Sequence, residues 1–187
     1  MIGKLPKELA VCGKNLPINT DFRQILALFP MFADPKLTDT EKAFVCCRRI
    51  YRCKIDASAF ADATIQAYRF IDGGEIPKSE PEKAKIIDWE KDEKIIIPAI
   101  SKTLGVIDVR ELPYLHWWTF LGAFGEIGEG ILATVLNLRR KRAAGEKLDK
   151  WEEKYVRRNR DLIIIESRED EEALAETEAF IKELFHE

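Results

Sequence analysis

Apolar residues recur along this chain at two spacings. Near the start they alternate: Leu9 and Val11, then Leu16 and Ile18, on either side of Gly13-Lys14-Asn15. Alternation around a glycine turn predicts a short β-hairpin, because successive strand side chains point to opposite faces and Gly13 can supply the positive φ of a tight turn. Past Asn19-Thr20-Asp21, a capping sequence, the spacing turns helical in FRQILALF. Pro30 and Pro35 interrupt it. A second helix opens at Leu37–Glu41, where Thr38 and Glu41 have capping-box spacing, and it carries Phe44, Val45, Cys47 and Tyr51. A third begins at Ser58, carries Phe60, Ile65, Tyr68 and Ile71, and stops at Gly73-Gly74. The polar, proline-containing stretch IPKSEPEK then reads as a hinge.

A longer helical pattern runs from Glu82 to about Thr103. It places Ile87, Ile95, Ile96 and Ile100 inward and Asp88, Lys91 and Asp92 outward, with a kink at Pro98 and a cap at Gly105. From Pro113 follows the most apolar element, YLHWWTFLGAFGEIGEGILATVLNL. It is apolar nearly all round as far as Phe124, as a buried central helix is, and Trp117, Trp118, Leu121 and Phe124 are expected at the centre of the fold. Gly122, Gly125 and Gly128 recur every third residue, which fits either close helix approach or a helix break. The fold class expected is mainly α: a compact multi-helix domain over 1–160 with a short N-terminal β-hairpin, then an acidic tail over 161–187 carrying a C-terminal amphipathic helix.

Composition narrows the function. The 187 residues are 46 % apolar and 34 % charged, enough for a core under a solvated surface, and the net charge of −3 argues against a globally basic nucleic-acid binder. The longest uncharged apolar run, Leu112–Gly125, is 14 residues, short of the roughly 18 a membrane span needs. The start, MIGKLPKELAV, has no apolar signal run. An intracellular protein is therefore expected. The four cysteines, Cys12, Cys46, Cys47 and Cys53, form no CxxC or Cys/His grouping and read as reduced, structural thiols.

No phosphate loop, nucleophile elbow, HExxH or dinucleotide turn is present. The acidic run Asp88, Glu90, Asp92, Glu93 reads as a solvated helix face, and His116, beside two tryptophans, as a core histidine with one satisfied hydrogen bond. No catalytic residue, cofactor or metal is expected.

Charge is distributed unevenly. Arg139–Arg160 holds ten basic and four acidic residues; Asp161–Glu187 holds ten acidic and two basic. Such a dipolar arrangement suits pairing within a chain or head-to-tail between copies, so a homo-oligomer is expected. The candidate partner-binding residues are the basic cluster Arg139, Arg140, Lys141 and Arg142 and the apolar stripe Leu174, Phe180, Ile181, Leu184 and Phe185 near the C-terminus.

Three stretches, DWEKDEKIIIPAI, LGVIDVRELPYLHWWTFLGAF and KRAAGEKLDKWEEKYVRRNR, together with the opening CGKNLPINTDFRQIL, resemble the bacteriophage gene-fifteen family of tailed phages and prophages of Gram-positive bacteria. The LHWW and KLDKWE elements are the most specific; the acidic tail after Asp161 has no counterpart. The resemblance implies a tail assembly protein of the chaperone type, made in the host bacterial cytoplasm. Its implied partners are the tape measure protein and the tail tube protein; the apolar runs, too short to span, argue against a membrane, and the net charge of −3 argues against nucleic acid. The resemblance transfers no catalytic residue. The alternative is a structural tail or connector component retained in the virion.

Overall fold

The computed structural model describes residues 3–75 and 85–165. It is mainly helical, with an antiparallel hairpin at its start. The chain divides into two units, one formed by Met1–Lys83 with Trp89–Leu132, the other by Ala84–Asp88 with Ala133–Glu187.

In the first unit β1 (Glu8–Val11) pairs with β2 (Lys14–Pro17), Leu9 opposite Leu16 and Val11 opposite Lys14. The turn is Cys12-Gly13, not the Gly13-Lys14-Asn15 expected. Both residues have positive φ, 47° and 77°, as the two-residue hairpin turn that matches strand twist requires. Cys12 tolerates this conformation while its amide donates to Asp62 Oδ2 at 2.6 Å.

Asp21 caps α1 (Phe22–Leu26) by accepting from the Arg23 amide. Pro30 then lies at the start of α2 (Phe29–Ala33), so FRQILALF is split between two short helices. The capping box of Thr38 and Glu41 opens α3 (Asp39–Ile50) as expected. Its buried face is Ala43, Cys46, Cys47 and Ile50; Phe44 and Val45, expected inward, are 60 % and 41 % exposed. Small side chains let α3 pack closely on α4 (Phe60–Ile71), whose buried face is likewise Ala63, Ala67, Phe70 and Ile71. Ile65, expected inward, is exposed.

The helix expected from Glu82 begins only at Glu93. α5 spans Glu93–Leu104, contains Pro98, and ends at Gly105 in the left-handed conformation. Asp92, expected on the solvated face, is buried at its N-terminal boundary, and its carbonyl accepts from the Ile95 and Ile96 amides. The hinge segment IPKSEPEK lies outside the described residues.

Elements distant in sequence are stitched by backbone hydrogen bonds: Asn19 N–H to Ile50 O (2.7 Å), Trp117 N–H to Thr20 O (2.7 Å) and Phe22 N–H to Leu115 O (3.0 Å). Around this seam lies the aromatic core. Phe22 stacks on Phe120 (4.9 Å) and Phe120 on Trp117 (5.5 Å), while Phe29 bridges Trp117 and Trp89.

α6 (Trp117–Gly125) is the central helix expected, rotated by one position. Trp117, Phe120 and Ala123 are buried, whereas Trp118, Leu121 and Phe124 are partly exposed. The glycines mark a break: the helix ends at Gly125 and α7 (Ile131–Ala143) starts past Gly130, which has φ 140°. A Cβ on Gly122, Gly125 or Gly128 would meet no atom within 4 Å, so none serves close packing.

In the second unit Asp149 and Glu152 form a capping box on α8 (Lys150–Arg158), and α9 (Arg160–Ile163) follows. The amphipathic helix expected near the C-terminus and the rest of the acidic tail, from Glu166, lie outside the described residues.

Candidate partner-binding surfaces

The HisTrpTrp stretch is structural. His116 is 3 % exposed. Its Nδ1 accepts from the Trp118 amide at 3.0 Å, capping α6, which leaves Nε2–H to donate to Pro6 O at 2.9 Å. Both indoles close the C-terminal end of α4: Trp117 Nε1–H donates to Ile71 O and Trp118 Nε1–H to Phe70 O, each at 2.8 Å. These carbonyls belong to the last turn of α4, where i+4 donors run out; Phe70 O also accepts from the Gly73 amide at 3.3 Å. Gly74 (φ 96°) lets the chain leave beneath Trp118, where a Cβ would come within 3.1 Å of the ring.

The thiols are divided by burial. Cys46 and Cys47 lie inside the α3–α4 contact and Cys12 and Cys53 are exposed, all four unbridged. Burial pushes the Cys46 thiol up to about 12. It raises Cys47 as well, against the opposing hydrogen bond from Thr64. Since the thiolate is the nucleophile, a thiol reagent should modify two cysteines rapidly in the native protein and four after denaturation. Four rapid equivalents under native conditions would mean that α3 does not pack as described.

The basic cluster does not form one outward patch. Arg139 is 4 % exposed. Its guanidinium donates to Ile163 O (3.1 Å), Leu162 O (2.6 Å) and Ile86 O (3.0 Å). Lys141 pairs with Glu152 at 2.7 Å. Arg140 and Arg142 are exposed. The fork-shaped guanidinium suits such multiple carbonyl capture, so Arg139 is placed as an internal strut. The apolar stripe Leu174, Phe180, Ile181, Leu184 and Phe185 lies outside the described residues.

Glu152 combines two roles. One oxygen accepts from Lys141, and the other accepts from the Asp149 amide at 2.9 Å to complete the α8 cap. The Lys141 hydrogen bond first, and the Asp149 amide second, hold this carboxyl below the ordinary glutamate value of 4.5. A lowered pKa stabilises the fold above the unfolded value and ceases to do so as pH falls through the folded value. Stability of the second unit should therefore decline as pH drops below about 4.5, and Glu152→Gln should flatten that part of the profile. Amide exchange along α8 at stepped pH measures it; an unchanged acid limb in the variant would remove Glu152 as its source.

The first unit carries concave surfaces, two of which combine aromatic and charged side chains. A groove of about 460 Å³ at the C-terminal end of α3 is lined by Phe44, Arg48, Arg52, Cys53, Lys54 and Phe60 among others, none of them acidic. A depression of about 400 Å³ lies among Phe22, Leu26, Trp89 and Ile97, with the Arg110–Glu93 pair (3.4 Å) at its edge. Periodicity alone hid the groove. The apolar Phe44 and Val45 read as core at 3–4 spacing, although Arg48 and Arg49, four residues on, mark the same helix face as solvated.

Among the described residues no group of His, Cys, Asp or Glu could hold a metal ion, and no helix is long and apolar enough to cross a membrane. What this mainly helical protein turns outward from the C-terminal half of α3 is apolar and cationic surface, Phe44, Val45, Arg48 and Arg49. The family model described as Bacteriophage Gp15 protein matches residues 1–163, and the chain belongs to that family of phage proteins. No curated protein and no solved structure matches it.

Proposed function

We propose that this phage protein is a non-enzymatic tail assembly chaperone, which keeps the tape measure protein soluble and recruits tail tube subunits in the host cytoplasm. The observation that carries this reading is the family match over residues 1–163. A client with long apolar helical stripes needs a protein that offers exposed apolar side chains beside adjustable polar ones, in contacts weak enough to be displaced. Phe44, Val45 and Ile65, outward on α3 and α4, together with the α3 arginines, fit that requirement.

Co-expression with the tape measure protein of the same phage is the direct test. The client should move from the pellet to the soluble fraction only when this chain is present, and the two should co-purify. A client that stays insoluble, with no co-purification, would sink the proposal. Mass spectrometry of purified particles provides the second arm, since a chain present at stoichiometric copy number in finished virions would replace the chaperone with a structural tail or connector component.

A further inference from the structure

We propose that the groove at the C-terminal end of α3 docks residues 166–187 of a second copy of this chain. The groove pairs unspent charge with unspent apolar surface. Phe44 is 60 % exposed, Phe60 is half-buried, and Arg48, Arg52 and Lys54 are exposed. Among the described residues none of these three cations is in an ion pair, and no acidic residue lines the groove. An occupant complementary to it must be acidic and must carry large apolar side chains.

Residues 166–187 have both properties. They hold nine acidic residues against two basic, and among the acids stand Phe180, Ile181, Leu184 and Phe185. They also lie beyond the family match, which ends at residue 163. The basic stretch 139–160 is a less uniform acceptor: Arg139 and Lys141 are committed to internal carbonyls and to Glu152, and four acidic residues, Glu146, Asp149, Glu152 and Glu153, stand among its other cations, whereas no acid lines the groove. A groove on one copy and a segment on the next make a heterologous contact, which propagates into rings or spirals. The inference stands apart from the chaperone reading and does not need it.

Two measurements on the full chain test it. In sedimentation equilibrium at low salt, Arg48→Glu with Arg52→Glu should weaken self-association about tenfold or more, because each attraction becomes a repulsion. Glu171→Lys with Glu172→Lys should weaken it similarly, and combining the two pairs should restore it. Arg157→Glu with Arg158→Glu, on the 139–160 stretch, should leave it within about twofold. The second measurement keeps the groove charges native. Cys53 lines the groove, so with Cys12→Gly a photo-crosslinker on the remaining exposed thiol reports what lies there. In a mixture of light and heavy isotope-labelled copies, crosslinks from Cys53 should join unlike copies and land within 166–187. The proposal is overturned by a wild-type chain that stays monomeric at low salt, or by loss of association in the Arg157/Arg158 variant alone. Crosslinks confined to one copy, or to co-purified RNA, overturn it equally.

Discussion

Trp117→Ala should destabilise the first unit by about 3–5 kcal/mol in urea denaturation, the range for truncating a fully buried large aromatic side chain. Trp117 is 1 % exposed and packs on Phe120 at 5.5 Å and Phe29 at 6.0 Å. The loss has three sources. The indole's apolar surface returns to water in the unfolded reference, a cavity opens beside Phe120, and the Ile71 carbonyl at the end of α4 loses its donor. Trp117→Phe separates them: it retains most of the packing and should lose about 1–3 kcal/mol, the scale of an unmet buried acceptor. Trp118→Ala is the internal comparison. That ring is partly exposed, although its Nε1–H also caps α4, so its truncation should cost clearly less than that of Trp117. Equal losses for the two alanine variants, or a negligible loss for Trp117, would place the centre of the core elsewhere.

The two tryptophans also show how far the sequence could be read. Hairpin, capping box, glycine stop after α4 and a central apolar helix near Pro113 were all legible, because each rests on a local rule: alternation, a fixed four-residue spacing, or a positive φ. Which side of that helix faces inward was not legible. YLHWWTFLGAF is apolar almost all round, so periodicity carries no phase, and the rotation is set by long-range contacts: the hydrogen bonds of Trp117 and Trp118 to consecutive carbonyls of α4 and the stacking of Phe22 on Phe120, itself stacked on Trp117. On α3 the failure has the opposite cause. Apolar size suggested Phe44 and Val45 for the core, but the packing with α4 selects the small residues Ala43, Cys46 and Cys47. At Asp92 the run of acids resembles a solvated face, whereas the helix starts only at Glu93 and leaves Asp92 buried at its boundary. Of the candidate site, charge composition identified the basic cluster, yet it could not distinguish a cation facing solvent from one turned onto carbonyls.

That distinction decides the outcome at Arg139. Arg139→Ala should destabilise the second unit by about 3–5 kcal/mol, less than a sum over separate hydrogen bonds because water can reach some of the freed carbonyls. The side chain supplies donors to Ile163, Leu162 and Ile86, the first two within α9 and the third far back in the chain. Among the described residues no other side chain donates to these three acceptors. The effect should be local: amides of residues 160–165 should exchange faster while those of α3 and α4 stay protected. Arg139→Lys should recover little, since one ammonium on a flexible stem cannot span three carbonyls as a planar fork does. Arg140→Ala and Arg142→Ala, one position to either side of Lys141 and exposed, should fall within about 0.5 kcal/mol of wild type. If Arg139 were a surface contact for a partner, the pattern would invert: stability would be unchanged, and binding of a polyanion would show a salt dependence shallower by about one unit of slope. An Arg139→Ala protein that unfolds like wild type but loses a partner would therefore reinstate the four-residue basic cluster as a binding surface and displace the strut described for it.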